Sequence, residues 1–334
     1  MLGRLWSRTR DWVARIFRRA PAPGGFEHGS AFSWRGLVGT APFVWPSRDY
    51  LVYVPQGRSR WKRAPLVVLL HGCKQTPEEV AQGTRITEYA DRTGCVVLLP
   101  RQKDHANPWR CWNWFESRTA AGKGEAAIVA AQIRRVRRRY RIDRRRVLVA
   151  GMSAGGALAA VMGVRYPHLV RGVAVHSGLA CGAASSPLAA LDVMKRGPDR
   201  DVEAIAAAVR TEAGRDVRVP LLAVQGGDDP VVAPRNAIAL VRQYLRLNGH
   251  PAVDAAADAA ALPPPDAQRT VVQAGGRAEV VQEWRRDGRL IARCVSIAGL
   301  GHAWSGGDPT LAYNDASPPD ATALVGAFLD DALS

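Results

Sequence analysis

Val147-Leu-Val-Ala-Gly-Met-Ser-Ala-Gly-Gly156 decides how the rest of the chain is read. Four apolar residues run into Gly151-Met152-Ser153-Ala154-Gly155, which fits the pattern G-x-S-x-G. A continuous apolar run marks a strand buried on both faces. The glycines beside Ser153 suit a sharp turn whose central residue is held in a strained backbone conformation, and an alanine-rich helix follows over 154–166. In that setting the Ser153 hydroxyl stands at the carboxyl edge of a sheet. An ordinary strand, turn and helix with a spare serine reads equally well from these ten residues. The neighbouring strands must decide.

Further apolar runs predict strands at 50–54, 66–70, 96–99, 170–175 and 221–225. Helices are expected at 78–92, 124–140, 202–212, 236–247 and 321–333, and Asp287-Gly288 marks a hairpin between strands at 279–284 and 290–297. This alternation predicts an α/β fold, a mostly parallel twisted sheet with helices on both faces. Residues 180–218 lack strand signal and read as an insertion over the site. The Ala-, Asp- and Pro-rich stretch 251–269 reads as a surface loop. Segment 26–43 gives no firm element. The catalytic domain is therefore expected to span 45–334, with 1–44 as a basic helix and linker.

At 334 residues and 47% hydrophobic content, the chain can bury a large core, and it has no apolar run long enough to cross a membrane. The formal charge of +16 is local: residues 1–20 carry six arginines against one aspartate, and 134–146 carry nine against one. Such clustering argues against a nucleic-acid-binding surface. Leu2, Leu5, Trp6, Trp12, Val13, Ile16 and Phe17 could make an apolar stripe on a basic helix suited to an anionic or hydrophobic surface, and a disordered or loosely docked tail is the equal alternative. That segment lacks the uninterrupted apolar core of a secretory signal. Five cysteines without C-x-x-C spacing make a metal site unexpected.

In parallel sheets function gathers beyond the carboxyl ends of the strands. Four such ends carry polar residues: His71-Gly72-Cys73, Ser153, Asp229 and His302. A serine hydroxyl is a weak nucleophile until a neighbouring base takes its proton, and His302, in a glycine-lined loop after the last strand, is the best of seven histidines. Asp228 and Asp229 are adjacent, and spacing does not separate them. Asp229, which precedes Pro230, is favoured as the acid that orients His302. The order Ser153, Asp229, His302 is that expected of α/β-hydrolases. His71-Gly72 after an early strand leads into an oxyanion hole whose donors are assigned as the backbone N–H groups of Cys73 and Ala154. His71 itself reads as a loop-bridging residue near substrate. Trp112 and Trp304 are candidate walls for an apolar acyl chain, with loop packing the bland alternative. A Cys73–Cys111 disulfide is a hypothesis, since both flank the presumed site. Glu125 reads as a loop-tying carboxylate.

Leu70-His-Gly-Cys-Lys-Gln-Thr76, Cys111-Trp-Asn-Trp-Phe115, Gly122-Lys-Gly-Glu-Ala126, Gly151-Met-Ser-Ala-Gly-Gly156 and Gly301-His-Ala-Trp-Ser-Gly-Gly307 together resemble the poly(3-hydroxybutyrate) depolymerase family of esterases. Feruloyl and acetylxylan esterases share much of this pattern. The resemblance covers about residue 50 to the end and implies a serine hydrolase acting on carboxylic esters, with no metal or organic cofactor. It implies Asp229 as the acid, through a Gly-x-x-Asp-Pro motif at 226–230. It also implies export, against which stands the amino terminus just described; a cytoplasmic location is the alternative. The reading of another class is a binding protein on an inert hydrolase scaffold, using its arginine clusters. A peptidase on the same triad is a third.

Overall fold

The computed structural model describes residues 24–36, 46–56, 58, 59, 61–213, 217–255, 258 and 260–333. The arginine-rich helix expected over 1–20 lies outside them. Ten strands form one sheet: β1 (Gly25–Phe32), β2 (Ser47–Val54), β3 (Ala64–Leu70), β4 (Val96–Pro100), β5 (Ile142–Met152), β6 (Gly172–His176), β7 (Leu221–Gly226), β8 (Ala267–Val272), β9 (Ala278–Arg286) and β10 (Arg289–Ile297). Their order is β1-β2-β4-β3-β5-β6-β7-β10-β9-β8, with β4, β3, β5, β6, β7 and β10 mutually parallel. Antiparallel pairs close both edges.

The central residues of the parallel strands are buried on both faces because they are apolar in consecutive runs, such as Leu66–Leu70 and Val147–Ala150, rather than at alternate positions. Leu66, Val68 and Leu70 of β3 face one core, with Val147 and Val149 of β5. Val67 and Leu69 face the other, with Leu148 and Ala150. The first core lies under α4 (Gly124–Arg139), α5 (Ala154–Arg165) and α8 (Arg235–Leu247). The second lies under α1 (Pro77–Gly83), α2 (Ile86–Thr93) and α10 (Ala321–Leu333). The result is three layers, the α/β-hydrolase arrangement expected from sequence. In α5, eleven of twelve residues are buried. A helix apolar all round has to lie inside the protein, and its alanines and glycines let it approach the sheet closely.

Several elements depart from expectation. The helix read at 78–92 is two, α1 and α2, divided where Arg85 takes φ 53°. The Thr322 hydroxyl donates to the Thr84 carbonyl at 2.5 Å, occupying an acceptor the helix would otherwise use. β1 falls where the sequence offers no firm element, and it pairs with β2 from Gly25↔Val54 to Phe32↔Ser47. The sheet thus takes in residues on the amino-terminal side of the 44/45 boundary. β8 falls partly within the stretch read as a loop, and α6 (Pro187–Arg196) precedes α7 (Val202–Ala213) in the expected insertion. A 3-10 turn at Trp34–Gly36, the short α3 (Ser117–Ala120) and α9 (Ala252–Ala255), and the β11 (Trp304–Ser305) and β12 (Asn314–Asp315) pair complete the described elements.

Candidate active site

Ser153 links β5 to α5 with φ 56° and ψ −124°. A non-glycine residue there is strained by about 1–3 kcal/mol and is held only because its surroundings leave no alternative. A Cβ at Gly151 would come within 2.5 Å of the Gly155 backbone, and one at Gly155 within 2.2 Å of the Leu70 carbonyl oxygen. Both glycines are therefore required by the close approach of β5, α5 and the end of β3. The Ser153 N–H donates to the His176 carbonyl at 3.0 Å, which fixes the turn against β6.

His302 and Asp229 come together as the sequence suggests. His302 Nδ1 lies 2.8 Å from Asp229 Oδ2. The other carboxylate oxygen accepts the N–H groups of Val231 at 2.9 Å and Val232 at 2.8 Å. Burial pushes the Asp229 carboxyl up, but the hydrogen bonds from His302 and from these two amides outweigh it and hold the pKa below the ordinary aspartate value. Asp228, by contrast, is exposed. Of the adjacent pair, Asp229 is the one that is buried and meets the histidine.

Ser153 and His302 open on one cleft of about 180 Å³, which Cys73, Met152, Met194, Val231 and Tyr313 also line. The serine hydroxyl makes no hydrogen bond to a described residue, and such contacts commonly tighten only when substrate is bound. The Cys73 and Ala154 N–H groups likewise donate to no described acceptor. Cys73 and Cys111 are joined by a disulfide, and the Lys74 N–H donates to the Trp109 carbonyl at 2.6 Å. The loop after β3 is thereby tied to the loop at 101–115.

His71, Trp112 and Trp304 are not among the residues that line this cleft. His71 is fully buried, with Nδ1 donating to the Gly72 carbonyl at 2.7 Å and Nε2 accepting the Gln102 N–H at 3.1 Å. It bridges the two loops. Trp112, also fully buried, donates Nε1–H to the His71 carbonyl at 3.1 Å. Trp304 stacks on His176 at 5.2 Å and donates Nε1–H to Thr322 Oγ1 at 3.1 Å. Each aromatic spends its polar handle on holding a loop. Glu125 ties loops as expected: its carboxylate accepts from Asn113 N–H at 2.7 Å and pairs with buried Arg48 at 3.3 Å. Met194 and Val231 were missed, and only the place of Met194 inside the expected insertion and the nearness of Val231 to Asp229 hinted at them.

Two buried histidines and one carboxyl set the acid response. Burial pushes His71 down to about 4. Burial, with the nearby His302, pushes His176 down to about 3. Their folded pKa values lie below the unfolded value of about 6.5, so the unfolded state takes up more protons as pH falls below it, and stability is lost in that direction. Glu116 opposes this, since burial and Glu125 raise it to about 7. The two histidines outweigh this half-buried carboxyl. Between pH 6.5 and 5 the unfolding free energy is expected to fall, by about 1 kcal/mol per pH unit on average and most steeply toward pH 5. A urea titration at each pH measures this, and a flat profile contradicts it.

A family model described as Esterase PHB depolymerase matches residues 48–263. Poly(3-hydroxyalkanoate) depolymerase C of Paucimonas lemoignei is 30% identical over 253 residues, a match covering 75% of this chain and 57% of that protein. This chain thus spans little more than half the length of that relative. Feruloyl esterase B of Neurospora crassa is 30% identical over 204 residues, covering 59% of this chain and 69% of that one. Among solved structures, an acetyl xylan esterase from Aspergillus awamori superposes with a TM-score of 0.65 at 19% identity, covering 84% of this chain and 94% of that chain. This likeness concerns the fold. With well over half its length matched by the family model, the chain belongs to the PHB depolymerase family of esterases.

Proposed function

We propose that the chain is a serine esterase that hydrolyses carboxylic esters of short acyl groups through an acyl-enzyme on Ser153. The observation that carries this reading is the buried Asp229–His302 pair, which opens on the same cleft as the strained Ser153 turn. With Nδ1–H given to Asp229, His302 keeps a basic Nε2 to take the Ser153 proton as the oxygen attacks the ester carbonyl. The carbonyl oxygen becomes an oxyanion, stabilised by the free N–H groups of Cys73 and Ala154. Collapse breaks the bond to the alcohol, which leaves with the proton from His302. Water then repeats the sequence on the acyl-enzyme and releases the acid. No metal or cofactor takes part in these steps.

The size of the cleft supports a short acyl group. Pockets for drug-sized ligands run to about 300–1,000 Å³, and this one, at about 180 Å³, is lined on its apolar side by Met152, Met194 and Val231. Acetyl, butyryl and 3-hydroxybutyryl groups fit that space better than a feruloyl ring. A panel of p-nitrophenyl acetate, butyrate and octanoate, hydroxybutyrate oligomers, a feruloyl ester and acetylated xylan tests this. The expected result is a kcat/KM at least tenfold higher for short acyl esters than for octanoate or feruloyl esters, the loss of about 1.4 kcal/mol of transition-state binding or more. Equal rates on the bulky acyl groups would exclude the proposal.

A further inference from the structure

We infer that the face of the domain opposite the cleft docks on an anionic phospholipid surface. The parallel strands place Ser153, Asp229 and His302 beyond their carboxyl ends, and what precedes those strands lies at the other end. There, Arg63 precedes β3, Arg141 precedes β5, and Arg137 and Arg138 close α4. With Arg134 and Arg144 they line one cleft of about 540 Å³. Among the described residues none of these six arginines forms an ion pair, although Arg139 and Arg146 beside them pair with Glu27 and Asp330. Arg137 is lowered by burial and by Arg144, Arg171 and Arg134, so cation faces cation. An uncompensated field of this kind disfavours the compact state and is relieved when an anion binds. Guanidinium forks match phosphate oxygens, two N–H donors to a group.

Three further features select a bilayer over a free polyanion. Trp61, 80% exposed, lies two residues before Arg63 at this end of the sheet. Trp34, 72% exposed, lines an adjoining cleft that shares Arg134 and Arg138. Tryptophan beside arginine is the composition of the headgroup layer, where the ring is half solvated. Finally, Gly25 pairs with Val54, so β1 begins at this end and the preceding residues join the domain here. Those residues set six arginines among Leu2, Leu5, Trp6, Trp12, Val13, Ile16 and Phe17, and apolar side chains at helical spacing serve a lipid surface rather than a phosphate chain in water. Docked in this way, the chain holds its cleft toward solution.

Cosedimentation of the full chain with phosphatidylcholine vesicles, with and without phosphatidylglycerol, tests the inference. Binding is expected only to the anionic vesicles and is expected to weaken with salt. Replacing Arg137, Arg138, Arg141 and Arg144 with Gln is expected to raise the apparent Kd at least tenfold, because each cation near an anionic surface contributes about fivefold. Hydrolysis of p-nitrophenyl acetate by that variant is expected to stay within twofold of the parent. If the fourfold variant melts early, the exposed pair Arg141→Gln and Arg144→Gln replaces it, with a several-fold weakening expected. Binding within twofold of the parent overturns the inference. So does tighter binding of the parent to duplex DNA than to the anionic vesicles at equal salt.

Discussion

Ser153→Ala is expected to lower kcat/KM for p-nitrophenyl acetate by about 10⁴- to 10⁶-fold, since the nucleophile and its base act as a unit. The fold should not register the change. The hydroxyl has no hydrogen bond to a described residue, so its removal orphans no buried partner, and alanine meets the same backbone strain at φ 56° that serine does. Equal melting temperatures, with only the residual activity that binding and the oxyanion donors supply, are the expected pair of results. His302→Ala should cost about as much, and the double variant little more than either single one. Activity within tenfold of the parent in Ser153→Ala would falsify the acyl-enzyme route.

Asp229→Asn is expected to lower kcat by about 10³- to 10⁴-fold while leaving KM nearly unchanged. The asparagine oxygen can still accept from Val231 and Val232, so the turn that Asp229 organises should survive. What is lost is the negative charge 2.8 Å from His302 Nδ1, which fixes the tautomer and stabilises the imidazolium formed during attack. An amide nitrogen turned toward Nδ1 favours the wrong tautomer outright. Asp228→Asn is the control, expected to stay within twofold because that side chain is exposed. A greater loss at Asp228 than at Asp229 would reverse the assignment.

The elements legible in the sequence were those whose environment is uniform along their length. β3 and β5 are apolar at consecutive positions because they are buried on both faces, and their run lengths suffice to recognise them. β1 and β8 lie at the two edges of the sheet, where β8 is almost wholly exposed, so neither carries a hydrophobic pattern. The break between α1 and α2 depends on Thr322, 238 residues away, and no local rule reveals it. At the site, strand ends and chain order were enough to single out Ser153, Asp229 and His302, which the fold brings to one cleft and one hydrogen-bonded pair. The two readings of Trp304, wall or loop packing, could not be separated in sequence because the partner for its indole N–H lies on α10. Met194 went unseen for the converse reason: an apolar residue on an amphipathic helix gives no sign of which neighbour it will meet.

The route by which His302 is braced has a consequence for synthesis. Trp304 is held by Thr322, and Thr322 by the Thr84 carbonyl, so the loop carrying the base is set only when the last helix closes against α1 and α2. β5, α5 and the Ser153 turn leave the ribosome about 150 residues earlier and can fold in that order. A nascent chain should therefore display a formed nucleophile turn while remaining chemically silent. Hydrolytic power would appear in one step, late, when the carboxyl-terminal segment docks.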